Sequence, residues 1–210
     1  MKIMKRFGFA VLIVVALFSF TSCIDIFQNI TLTPDNNIDM TVRFTVSKML
    51  FELAESDEPI EDVFAEEFMS ADLAQTLFGE TETRHVSYKT VNTEFDYGAN
   101  IQISYPKGME VSQEDVLFPR VLPHRIEIKP FIGDSEEMEQ DPYAMMFFSS
   151  MKYRLQLSKN LLKTIEKATL VFKNGESYVL DPIDLAESFL FEVPLVLLMS
   201  GEDPTLIFEY

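Results

Sequence analysis

Residues 38–46, IDMTVRFTV, alternate without a break: Ile38, Met40, Val42, Phe44 and Val46 fall on one side of an extended chain, and Asp39, Thr41, Arg43 and Thr45 on the other. A helix would scatter these residues around its circumference. A strand divides them into an apolar face and a wet one, so the period of two fixes a half-buried strand. Upstream, Ile26, Gln28, Ile30 and Leu32 repeat the phase more weakly, and PDNN at 34–37 supplies residues that favour a tight reversal. The two runs read as a β-hairpin. Strands are also expected at about 84–97, at 99–105 with Ala99, Ile101, Ile103 and Tyr105 on one face, and at RIEIK, 125–129. Another is expected at MKYRLQL, where Met151, Tyr153, Leu155 and Leu157 share a face. In TLVFKNGESYVL, residues 169–180, Asn174 and Gly175 can take the positive backbone angles of a tight turn, which makes the clearest hairpin of the chain. FLFEVPLVLLM, from residue 189, contains Glu192 and Pro194 and reads as an edge or irregular core strand.

Helix signals stand between these runs. Ser47 is a plausible N-cap leading into KMLFELAE. A second helix is predicted over 61–78, with Met69, Leu73 and Leu77 along one stripe and Gly79 ending it. Asp141 and Pro142 signal a third start, and Ser158 opens KNLLKTIEKA. MTVRFTVSKMLF from residue 40 and MKYRLQLSKNLL from residue 151 match at Met40 and Met151, Arg43 and Arg154, Ser47 and Ser158, Lys48 and Lys159, and Leu50 and Leu161. Either a duplicated strand, helix and hairpin unit or convergence on a few residue types explains that echo. The fold class expected from these signals is α+β: antiparallel β-sheet with a few helices packed on one face, the echo raising the option of two related ββαββ-like halves.

The N-terminus carries an address. MKIMKR brings Lys2, Lys5 and Arg6, and Phe7 to Phe20 run apolar for fourteen residues before TSC. That is the layout of a signal peptide, and it is shorter than the roughly 20 apolar residues a spanning helix needs. Ordinary cleavage after Ser22 would place Phe20 where a small residue belongs. FTSC, residues 20–23, instead resembles the lipobox of bacterial lipoproteins, departing from it in Phe20, where Leu is commonest. The resemblance covers residues 1–23 and implies a diacylglycerol thioether on Cys23, with residues 1–22 removed. Fatty chains at that position, palmitate among them, would hold the protein on the cell membrane or outer membrane, outside the cytoplasm. Residues 23–210 are read as one extracytoplasmic domain, with a division into lobes at about 23–122 and 123–210 as the alternative.

Cys23 is the one cysteine, so no disulfide can form within the chain. Losing Lys2, Lys5 and Arg6 with the leader takes the net charge from −17 to −20, and such a body repels phosphate backbones and anionic headgroups. Nucleic acid is therefore not an expected partner, and membrane residence falls to the lipid. Nineteen Phe and seven Tyr disfavour disorder.

Chemistry is sparsely signalled. His85 and His124 are the two histidines, each read as a surface or structural residue, and no nucleophile or phosphate-loop motif occurs. DSEEMEQD, 134–141, packs five acids into eight residues without the mid-loop glycine of a calcium loop and reads as solvated loop. YAMMFFSSM, 143–151, could line a pocket for an acyl chain, meet a partner protein, or form a short core helix. No catalytic, cofactor-binding or metal-ligating residue is assigned, and no cofactor is expected. The expected role is that of a non-catalytic binding or structural lipoprotein of the cell envelope, its partner a hydrophobic ligand or an envelope protein. A carboxylate-dependent extracytoplasmic hydrolase is the alternative.

Overall fold

The computed structural model describes residues 24–49, 83–112, 115–130, 151–199 and 203–210, with Pro59, Asp62, Ser70, Asp72, Phe78 and Gly79. The alternating runs become strands. β1 (Ile24–Leu32) and β2 (Asn37–Ser47) form the first hairpin, and β3 (His85–Asn92) pairs with β4 (Asp96–Pro106). Then come β5 (Arg120–Leu122), β6 (Arg125–Ile128), β7 (Lys152–Ser158), β8 (Lys167–Val171), β9 (Ser177–Val179), β10 (Ile183–Asp184) and β11 (Ser188–Pro194). A five-residue helix, α1 (Leu195–Met199), and β12 (Thr205–Glu209) complete the described elements.

Seven strands form one sheet in the order β10-β11-β7-β1-β2-β4-β3, and five form a second, β5-β6-β12-β8-β9. The sheets share one apolar cluster. Ile30, Ile101, Leu155 and Phe191 of the larger sheet belong to it with Ile126, Leu170, Leu206 and Phe208 of the smaller, and the Phe191 and Phe208 rings lie 4.9 Å apart between centroids. Each inner face is the apolar phase of its strands, which explains why period two is so regular in the sequence. Toward β4, the segment leading to β5 adds cover: Phe118 packs on Tyr105 at 5.5 Å and on Phe78 at 5.9 Å.

One inner position is polar. Gln28 is wholly buried, in phase with Ile26 and Ile30. Its Nε2 donates to the Leu117 carbonyl at 2.6 Å, and its Oε1 accepts from the hydroxyl of Tyr153, itself wholly buried. Leu117 has φ 70°, a left-handed conformation costly for a branched side chain, and its own N–H donates to the Lys129 carbonyl at 2.7 Å. The segment before β5 is thus held by the amide of β1.

The α+β expectation is overturned: the described fold is mostly β, and the five-residue α1 is the one helix described from end to end, with Lys48, Met49, Asp62, Asp72 and Phe78 also helical. The larger sheet is also mixed, because β7 runs parallel to β1. No helix follows Ser158. Its carbonyl accepts from the N–H groups of Leu161 (3.0 Å) and Leu162 (3.1 Å), closing a single turn. The flanking N–H groups go elsewhere, Lys159 to the Glu187 carbonyl and Glu166 to that of Glu209, both at 2.9 Å. Tertiary pairing outcompetes local helix propensity there. Two matching ββαββ-like halves are therefore not the architecture; β2 and β7, which carry the echo, lie in one sheet on either side of β1. Of the predicted 61–78 helix, Asp62, Asp72 and Phe78 are described and helical, but Ser70 between them is not, so the stretch is not one continuous helix; Gly79 follows at φ 43°, and Met69, Leu73 and Leu77 lie outside the described residues.

Candidate functional site

Cys23, the acidic run 134–141 and all of 143–151 except Met151 lie outside the described residues. Met151 is wholly buried. The two histidines belong to different sheets. His85 begins β3, the outermost strand of the larger sheet, and is exposed. His124 occupies the two-residue turn between β5 and β6 at φ 65°, after Pro123, where its carbonyl accepts from Tyr210 N–H at 3.0 Å. Proline followed by a left-handed residue is the chemistry of a type II turn, so His124 serves the backbone.

A cleft of about 300 Å³ opens on the outer side of the smaller sheet. Residues out of phase with the core build it: Glu127 and Lys129 alternate with Ile126 and Ile128, and Thr205 and Ile207 with Leu206 and Phe208. Its charges are paired. Glu127 meets Arg120 through Oε2 at 2.9 Å and Arg125 through Oε1 at 2.8 Å, while Lys129 meets Asp203 at 2.7 Å. Asp115 accepts from the Ser112 N–H at 2.8 Å. Beside it, a wider cleft of about 700 Å³ is lined by Arg120, His124, Arg125, Glu166, Glu209 and Tyr210, with Leu122 and Pro123. Both grooves carry charged residues of both signs. They offer complementarity to a charged surface; neither is a closed apolar cavity of the kind that holds an acyl chain.

The titrating groups that the fold moves are tyrosines. Burial pushes the Tyr153 hydroxyl well above its ordinary range. Burial does the same to Tyr105, opposed by the Arg84 charge and reinforced by Asp115. The Tyr153 phenol is thereby a neutral donor, and it ties Gln28 into the core. The Arg84 guanidinium lies 4.4 Å over the Phe118 ring and donates to the Phe78 carbonyl at 2.7 Å.

Apolar exposure concentrates on one flank. Within 178–185, Tyr178 (43 % exposed), Val179 (69 %), Ile183 (47 %) and Leu185 (38 %) face solvent. This stretch runs from β9, the edge of the smaller sheet, to β10, the edge of the larger. The sequence predicts a hairpin over 169–180. Three consecutive apolar residues, Tyr178, Val179 and Leu180, cannot all face inward from one strand, and that broken alternation was the available signal. The cleft residues were likewise visible only as polar residues out of phase. No family model, curated protein or solved structure matches the chain.

Proposed function

We propose that this chain is a lipid-anchored protein of the bacterial cell envelope whose folded body binds another envelope protein without catalysing a reaction. The exposed apolar flank at 178–185 carries the binding half of that reading. Large apolar side chains clustered on a surface, bordered by polar residues, are the mark of a protein-binding face, and here they sit where both sheets end. Both edge strands there are short, two and three residues, so the side chains rather than a long free ladder make the contact. Charged lining in both clefts favours a protein partner over a free hydrophobic ligand.

Support for the anchor comes from the lipobox-like FTSC and from β1, which starts at Ile24, directly after Cys23. The test has two parts. Mass spectrometry of the N-terminal peptide from the producing organism should find diacylglycerol on Cys23, and an unmodified thiol there overturns the anchor. Val179→Glu with Ile183→Glu should shift the native protein, solubilised in mild detergent, from a larger complex to the size of the free chain; unchanged migration overturns the binding face.

A further inference from the structure

The register of the larger sheet decides which part of the molecule lies beside the anchor. Ile24 is opposite Val46, Val46 opposite Tyr97, and Tyr97 opposite Asn92. The start of β1 therefore shares one sheet end with the close of β2 and with the turn joining β3 to β4. At about 4.8 Å per strand, β3 is only about 14 Å from β1 along that end. Cys23 precedes Ile24 by one peptide unit, about 3.8 Å between Cα atoms, so a lipid on its sulfur has no spacer from the sheet.

Two large apolar side chains face solvent at this end. Phe95, at the tip of the turn, is 69 % exposed, and Met49, just past β2, is 49 % exposed. Reversing a chain calls for Gly, Asn or Asp, and a phenylalanine that buries so little contributes almost nothing to the core. The turn nevertheless holds it firmly. Thr93 Oγ1 accepts from the N–H groups of Phe95 (3.3 Å) and Asp96 (2.9 Å), and Lys48 N–H donates to the Phe95 carbonyl at 2.8 Å. Lys48 Nζ donates to Asn92 Oδ1 and to the Thr93 carbonyl, each at 2.7 Å. An ordered turn presents an aromatic ring to its surroundings at the end where the anchor attaches.

We propose that this end of the sheet is a membrane-contact surface, with Phe95 and Met49 entering the bilayer interface beside the lipid and fixing the orientation of the body. The inference rests on lipidation of Cys23. Glu94 and Asp96 flank the ring, which selects a zwitterionic over an anionic lipid surface.

The chain contains no tryptophan, so a single introduced one is an unambiguous reporter. Lipidated protein carrying Phe95→Trp, reconstituted in phosphatidylcholine vesicles, should emit further to the blue than in detergent-free buffer after enzymatic removal of the anchor peptide. It should also lose emission when the acyl chains are brominated. Asp35→Trp lies in the β1–β2 turn at the opposite end, a nine-residue strand or about 30 Å away, and should give the same emission in both kinds of vesicle. Met49→Trp, a second reporter beside β2, should behave like Phe95→Trp. Protein that floats with the vesicles while Phe95→Trp and Met49→Trp stay unquenched overturns the contact surface and leaves the anchor standing. Protein that neither floats nor carries diacylglycerol overturns the anchor and this inference together.

Discussion

A single polar side chain decides how the core is closed. Gln28 spends its amide on partners from two distant segments, the Leu117 carbonyl 89 residues on and the Tyr153 hydroxyl 125 residues on. Replacing it by leucine strands both groups in a dry interior, where each unsatisfied polar group costs about 1–3 kcal/mol. Gln28→Leu should therefore destabilise the fold by about 2–4 kcal/mol, read as a lower urea midpoint with an unchanged slope. That Gln28 stands in phase with Ile26 and Ile30 was legible in the sequence; its partners were not, because a side chain's period says which face it occupies and nothing about what meets it there. Tyr153 gives a pH signature. Burial raises its hydroxyl and that of Tyr105 above the ordinary tyrosine value, so the folded state keeps protons that an unfolded chain releases above about pH 10. The contribution is present below that pH and is lost as pH climbs toward the folded values, so stability falls on the alkaline side. Urea midpoints taken at about pH 9 and 11 should drop less for Tyr153→Phe than for the parent, although the variant starts lower because Gln28 Oε1 loses its donor.

Two glycines, Gly98 within β4 and Gly175 in the β8–β9 loop, have opposite demands, and they separate close approach from turn strain. At Gly175, φ is 89° and an added Cβ would meet nothing, so Gly175→Ala should cost about 1 kcal/mol from backbone strain alone. At Gly98, a Cβ would lie 2.1 Å from the Phe44 carbonyl oxygen and 2.7 Å from Thr45 Cα, both backbone atoms of the neighbouring strand β2. Gly98→Ala must push β2 from β4 and should lower the thermal midpoint well beyond the Gly175 variant. The NG turn also shows the limit of turn signals. The hairpin formed where the dipeptide foretold it, but with a three-residue loop: Phe172 pairs with Glu176, Gly175 takes the positive angle, and Asn174 uses its side chain to accept from Glu176 N–H at 2.9 Å. Strands were readable because each needs only its own alternation to declare a buried face. The segment after Ser158 was misread as a helix because the Glu187 and Glu209 carbonyls that capture its N–H groups lie far along the chain.

At the scale of the molecule, the strand order puts the earliest and latest described strands in the interior of their sheets. β1 lies between β7 and β2, and β12 between β6 and β8. Sheet order of this kind was invisible in the sequence, since the β1–β7 pairing and the placement of β12 depend on contacts between segments more than a hundred residues apart or separated by other strands. It has a consequence for folding. Until β12 is made, β6 and β8 have no strand between them, and Ile126, Ile128, Ala168 and Leu170 lack the Leu206 and Phe208 side chains that complete their layer. Phe208 also carries the ring contact to Phe191 that joins the sheets. A chain ending at Pro204 should therefore fail to fold as a unit: its urea titration should show no cooperative transition, and protease should cut it at the rate of an unfolded chain. Val179→Glu, on the edge strand β9, should leave both readouts near those of the parent, because that side chain is mostly in water already. A cooperative transition retained by the chain ending at Pro204 would show that the larger sheet is stable without the smaller one, contrary to the single shared core.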